Sequence, residues 1–448
     1  MHKHLISAFF VIVLALSFVC GCKEQSKPQV DKVVIMSPHS DNIKYELERG
    51  FKKYYLDKYG KDVEVDWRNI GGGGSAILSY IRNVYSRSES SGIDILYGAG
   101  ENPHQYLAAE GLLQAYQPAD DYLAAVPEVF GGSRLYDKDH LWHGTVLSSF
   151  GFLYNKELLS QLNLNKPESW SDLGKEEYCG QIMLADPSQS SSIAAAYEMI
   201  LQSESDWHKG WQKLLNLLAN AKKFTSSSSA ATNAPVIGEA VIAACIDYYG
   251  ALAVVQAPDK LGYVSPKNGT GFTPDPISIL KNPPDSQTAI RFVDYVLSFE
   301  GQALWGLKPG EELGPEQSCL NRPPIRKDFY NKYADKMPEW LVKPYSSDPI
   351  NVDADLRTQR YDVMIELVRA AAIDAGGSLH KVKTIIDSTD NQSLKDKFYE
   401  LPEEITAVEQ LKEVHGKLAD DTYRQQLRRK WAQFYREKYA DIISQSQQ

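Results

Sequence analysis

Between Lys32 and Gly100 the hydrophobic pattern alternates between the strand period and the helix period, and this limits the fold more than any other feature of the chain. Lys32–Met36 is a short β-rich run. Ile43–Lys58 then carries Ile43, Leu47, Phe51, Tyr54 and Tyr55 at helical spacing, behind Ser40 or Asp41 as N-cap. Val63–Trp67 alternates as a strand. Gly71–Gly74 with Ser75 opens a second helix to about Tyr85, and Ile93–Tyr97 is a third strand ending in Gly98-Ala99-Gly100. Strand, helix, strand, helix, strand in about 70 residues predicts a parallel, doubly wound α/β sheet.

The pattern continues along the chain. Gly151–Asn155 reads as a short strand after a Trp142-His143-Gly144 turn, Gln181–Ala185 as another before a helix from about Ser191, and Ala240–Ile246 as a buried strand. Leu252–Gln256 and Leu261–Val264 follow as apolar runs, and Ala289–Leu297 as a helix. From about Pro344 glycines thin out, and Thr358–Ala372, Gln392–Glu400, Ala407–Leu418 and Thr422–Tyr439 read as helices. No internal sequence repeat is visible.

With 448 residues, 43% hydrophobic and 24% charged, the chain has room for two or three domains and is neither disordered nor a multi-pass membrane protein. A formal charge of −10 argues against nucleic acid. Met1–Gly21 reads as a signal segment: Lys3 precedes the apolar run Leu5–Val19, which is too short to span a bilayer stably. Its end, Val19-Cys20-Gly21-Cys22, resembles a bacterial lipobox, implying cleavage before Cys22 and lipidation of that thiol. Loss of Lys3 takes the charge from −10 to −11. A polar tether precedes the fold, within residues 22–31. Cys179, Cys245 and Cys319 remain, enough for one disulfide at most, and no spacing resembles a zinc site.

Several short elements share an order and spacing with a known family. These are Val33-Val34-Ile35 with Ser37-Pro38-His39; Ile93–Gly100; Glu110-Gly111-Leu112-Leu113 with Tyr116-Gln117-Pro118; Gly151–Asn155; Pro167–Leu173; Ala185-Asp186-Pro187; and Gly238-Glu239 with Asp247-Tyr248-Tyr249. Over about Lys32–Leu304 the chain resembles an extracellular solute-binding protein of an ATP-binding-cassette (ABC) importer, in the branch holding ferric-iron, thiamine, hexose-phosphate and phosphonate binders. The resemblance implies an exported, lipid-anchored, monomeric receptor in the bacterial cell envelope. It would have the type 2 periplasmic-binding-protein fold, no cofactor, and an ABC permease as partner. The implied organisation is a first lobe at 32–148 with a return at 265–343, a second lobe at 150–264, a hinge between them, and a helical extension at 344–448 outside the resemblance. That extension is expected to wrap the first lobe or to meet a partner.

The loops suit a small anion. Helix N-termini offer free N–H groups and partial positive charge, glycine admits close approach, and serine adds a donor. Candidate ligand residues are Ser37, His39, Gly73, Gly74, Ser75, Gly98, Gly100, Ser190, Ser191, Ser227, Ser228, Asp247, Tyr248 and Asp275. Asp247 either orients a solute group or holds the hinge; Asp275 lines the cleft or sits in a turn. The resemblance also implies an alternative ferric site at His39, Tyr248 and Tyr249. The carboxylate such a site expects after the third strand is replaced by Gly98-Ala99-Gly100, with Glu101 off register, so a sugar phosphate or phosphonate is favoured over iron. No Walker motif, Gly-x-Ser-x-Gly elbow or His-Glu-x-x-His supports an enzyme, and a ligand-presenting sensor is a further reading.

Overall fold

The computed structural model describes residues 30–71 and 73–447. The expected signal, lipidation at Cys22 and most of the tether lie outside the described residues. Among the described residues no helix is long and apolar enough to cross a membrane.

Two sheets organise the chain. The first contains β1 (Asp31–Met36), β2 (Val63–Arg68), β3 (Ile95–Tyr97), β4 (Leu113–Gln114), β7 (His143–Ser148) and β13 (Thr273–Leu280), in the order β2-β1-β3-β13-β4, with β7 also on β13. β5 (Val129–Phe130) and β6 (Ser133–Arg134) form a small hairpin. The second sheet contains β8 (Phe150–Asn155), β9 (Ile182–Ala185), β10 (Ala221–Thr225), β11 (Ile242–Ile246) and β12 (Leu261–Val264), in the order β10-β9-β11-β8-β12. β2-β1-β3 and β10-β9-β11 are both parallel units in which the earliest strand is central, and each is followed by an antiparallel strand. The two sheets therefore repeat one topology without a visible sequence repeat. This is the two-lobed α/β architecture expected, with one large hydrophobic core on each sheet and smaller clusters beside them.

Between the sheets the chain passes at Ser149 and again through residues 265–272. Asp247, buried at the start of helix Asp247–Gln256, accepts hydrogen bonds from Ser149 N at 2.8 Å and Ser149 Oγ at 3.0 Å, tying the first passage to the second lobe. Thr270 Oγ1 accepts from Phe150 N at 3.0 Å and joins the two passages.

Local readings change in four places. His143 and Gly144 belong to β7, not to a turn. Leu252–Gln256 is the second half of a helix that begins at Asp247; Leu252 and Val255 are exposed and Ala253 is buried. Asp31 is the first residue of β1, paired with Val63, so the tether ends before it. Thr273-Pro274-Asp275-Pro276 opens the buried strand β13 rather than a turn. Proline removes a ladder donor, but β3 pairs only with Ile277–Ile279, and a register shift between Asp275 and Pro276 absorbs the second proline.

A third passage was not foreseen. Residues 344–347 sit against the first lobe, Ile350 N donates to Thr270 O at 3.0 Å, and Val352 N donates to Gly131 O at 2.8 Å. Gly132 is required there: its φ is +81°, and a Cβ would lie 1.9 Å from Val352 O. The helical extension then packs its core on the second lobe and does not wrap the first. Val363, Met364, Leu367, Trp431, Tyr435 and Tyr439 share one core with Trp207, Trp211 and Leu215 of helix Trp207–Ala219. Trp207 Nε1 donates to Ile405 O at 3.0 Å. We predict that a chain ending at Asp353 exposes this core and fails to unfold cooperatively, whereas a soluble, cooperative truncation would mark the extension as separable. Trp431→Ala should cost about 3–5 kcal/mol in denaturant unfolding.

Candidate functional site

Parallel strands deliver the site. The carboxyl ends of β1, β2 and β3 lead into helices Asp41–Tyr59, Gly74–Tyr85 and Glu101–Ala109; those of β9, β10 and β11 lead into Ser191–Gln202, Ser228–Ile237 and Asp247–Gln256. Ligands of open α/β sheets bind at such ends. The two sets of loops oppose each other closely. A methyl on Gly73 would lie 3.7 Å from Gln189 O, and one on Gly100 3.8 Å from Ser191 Oγ, so the lobes are closed.

Of the serines, Ser190 caps its helix by accepting from Ile193 N at 3.5 Å, and Ser227 does so from Ala230 N at 3.2 Å. A capping hydroxyl accepts through oxygen and keeps its proton to donate. Ser228 Oγ is buried and unpartnered. Ser37 is fully buried and its Oγ accepts from His39 N at 3.2 Å. Gly74 packs on the Gly98–Gly100 loop, where a Cβ would lie 2.4 Å from Ala99 O. Ser75 begins the helix beside it. Gly98, at φ +79°, leaves room for His39, whose Nε2 would lie 2.8 Å from a Cβ there.

The centre of the site is a residue that sequence reading missed. Arg322 lies in the Asn321-Arg322-Pro323-Pro324 loop and is 5% exposed. It pairs with Asp275 of β13 through Nη1, and its Nη2 donates to Ser148 Oγ at 2.9 Å. Its guanidinium lies 4.9 Å from the Tyr248 ring of the second lobe and 5.6 Å from the Trp305 ring of the first. His39 Nε2 is 2.9 Å from Asp275 Oδ2. Arg322 Nε and His39 Nδ1 are buried without partners. The structure thus brings together His39, Asp275, Tyr248, Ser148 and Arg322 at the junction of the lobes. Asp275 faces this cluster rather than a turn.

Charge follows from the packing. Burial alone would raise the Asp275 carboxyl, but Arg322 and the hydrogen bond from His39 hold it well below the usual range. Asp247 is pushed up to about 6 by burial, against the pull of its Ser149 hydrogen bonds. Its oxygens go to Ser149 and to Tyr248 N. Burial raises Tyr248 well above an ordinary phenol. Tyr249 packs against Tyr248 at 4.3 Å between ring centroids. Glu101 is taken by Arg357 of the extension at 2.8 Å. Cys179, Cys245 and Cys319 are all free thiols. Among the described residues no group of three or more His, Cys, Asp or Glu could hold a metal ion.

The structure is thus a two-lobed α/β molecule with a buried ion pair where the lobes meet. Residues 90–308 match the family described as bacterial extracellular solute-binding protein. Its sequence is 29% identical over 243 residues to the phosphoglycerate transport regulatory protein PgtC of Salmonella typhimurium, a match covering 53% of this chain and 57% of the relative. The chain thus spans little more than half the length of that relative. The fold is similar to that of the periplasmic binding protein AfuA of Actinobacillus pleuropneumoniae, solved with fructose-6-phosphate bound (TM-score 0.59, 22% identity, 74% of this chain and 93% of that one). It is also similar to that of iron-bound HitA of Pseudomonas aeruginosa (TM-score 0.52, 20% identity, 72% and 92%).

We expect Asp275→Asn to strand the buried Arg322 charge and to cost about 3–5 kcal/mol by denaturant unfolding; a loss below about 1 kcal/mol would contradict the pairing. Asp247 titrates the other way. Its folded pKa lies above the unfolded value, so the folded state binds the proton more tightly, and stability rises as pH falls from 7 toward 4. Asp247→Asn should flatten that rise, which is on the order of 2 kcal/mol.

Proposed function

We propose that this protein captures a small phosphorylated or phosphonylated organic anion between its lobes and releases it unchanged to an ABC permease. The observation that carries this reading is Arg322: a buried guanidinium with a free Nε, stacked on Tyr248 of the opposite lobe, where six helix N-termini converge. Such helix ends favour an anion, and a guanidinium matches the geometry of phosphate oxygens. Asp275 holds Arg322 in place and leaves Nε to the solute. Ser37, His39, Gly73, Gly74, Ser75, Gly98, Gly100, Ser190, Ser191, Ser227, Ser228 and Tyr248 would supply the remaining contacts, and Asp247 the hinge. The solute bridges both lobes and so shifts the open–closed balance by its differential affinity. No bond is broken.

The iron reading is weaker for a physical reason. His39, Tyr248 and Tyr249 would have to bind a trivalent cation where the Arg322 guanidinium already covers the Tyr248 ring. Cation–π contact with a neutral phenol and phenolate ligation of iron compete for the same side chain. The fructose-6-phosphate bound to AfuA and the word phosphoglycerate in the name of PgtC agree with the anion class. That name also favours a second role, presentation of the loaded form to a membrane sensor. In either role we place the protein outside the cytoplasmic membrane, monomeric and held by lipid on Cys22.

A thermal-shift panel of fructose 6-phosphate, 3-phosphoglycerate, small phosphonates and ferric citrate tests the reading. An anion at 100 times its Kd should stabilise the protein by about 3 kcal/mol. Tyr248→Ala should abolish the shift while the protein stays folded, and Arg322→Met should abolish it from a melting temperature already lowered by loss of the pair with Asp275. A response confined to ferric citrate would contradict the proposal.

A further inference from the structure

The helical extension makes contacts that completion of the second lobe does not require. Helix Ala354–Val368 joins that lobe through Val363, Met364 and Leu367. It is fixed there by a fully buried pair, Arg360 Nε to Glu198 Oε1 at 2.8 Å. Further support comes from Arg369 just after the helix, which lies 3.1 Å from Asp186 Oδ2. The same helix reaches across to the first lobe. Arg357 Nη1 donates to Glu101 Oε2 at 2.8 Å, with both side chains buried. Asp362 Oδ2 accepts from Tyr106 Oη at 3.2 Å.

Glu101 and Tyr106 lie on one first-lobe helix, Glu101–Ala109, whose N-terminus follows the Gly98–Gly100 loop of the cleft. Tyr361 Oη, on the extension, donates to Ser191 O at 3.5 Å directly opposite that loop. One rigid helix therefore holds the lips of both lobes beside the cleft. The third chain passage, through Ile350 and Val352, brings it there.

We propose that helix Ala354–Val368 is a latch on the closed form, with Arg357 gripping Glu101 across the seam. Opening separates the pair and returns both charges to water. Rehydration offsets most of the lost attraction, so the hold is modest rather than permanent. It is the size needed to tune a binding equilibrium: a coupling of this kind changes populations by roughly fivefold or more. The consequence for affinity rests on the reading of the cleft as the solute site, since a latch that raises the closed population strengthens any solute bound there. The latch itself does not depend on which solute binds.

The test is small-angle scattering of the protein without added solute, comparing the wild type with Arg357→Met, Glu101→Gln and Tyr106→Phe. Tyr106→Phe removes one hydroxyl and leaves every charge in place, so it remains informative if the others fold poorly. Glu413→Gln is the control, because its pair with Lys417 is exposed and lies within one helix of the extension, Val408–Lys417. We expect the compact population to fall roughly fivefold or more in Arg357→Met and Glu101→Gln, to fall less in Tyr106→Phe, and to hold in Glu413→Gln. Equal compaction in all variants overturns the latch, even if 3-phosphoglycerate or fructose 6-phosphate binds normally. Loss of compaction in Arg357→Met supports it, even if neither ester binds, in which case the solute reading alone falls.

Discussion

The buried pair between Arg322 and Asp275 holds the centre of this molecule together. Asp275 stands in β13, the strand that brings the chain back to the first sheet, at the point where two prolines loosen the ladder. Arg322 arrives from a proline-rich loop and reaches past Ser148, the last residue before the first passage, to the Tyr248 ring of the other lobe. One ion pair therefore touches the return strand, the hinge and both lobes. A buried charge pair is weak evidence of stability, since desolvation opposes it. Its value here is positional: it holds a guanidinium edge in a place from which water is excluded.

Around that pair the fold repeats itself. Each sheet builds a parallel three-strand unit with its first strand in the middle, and each unit points three helix N-termini at the other. Two such units face to face create positive potential from backbone dipoles alone, in a chain whose net charge is −10. On the reading proposed here an anion is favoured by local geometry against the global field, because at contact distance the fixed dipoles dominate and salt screens more distant charge. A ferric ion would need the reverse arrangement, with acidic ligands and no guanidinium at the centre.

What was legible in the sequence is what periodicity encodes. The first sheet's strand–helix alternation, the opening of helix Gly74–Tyr85 and the positions of β8, β9 and β11 could all be read from spacing. Pro274 and Pro276 hid β13, because a strand that depends on a register shift looks locally like a turn. Arg322 was invisible, since a single arginine beside two prolines has no period and no motif. The extension's helices could be seen, but an amphipathic stripe does not name the surface it covers; they close over Trp207 and Trp211 of the second lobe. Helix Trp207–Ala219 carried a readable signal in Trp207, Trp211, Leu214, Leu215 and Leu218. It passed unread between better-marked neighbours.

Phosphorus resonance of a candidate ester mixed with the protein probes the central claim most directly. The account predicts a distinct bound 31P signal from a small phosphate ester, shifted by contact with a guanidinium and helix N–H groups, and absent when Arg322 is replaced by methionine. Unperturbed signals from every phosphate ester and phosphonate, together with a visible tyrosinate–iron absorption band on adding ferric citrate, would contradict it.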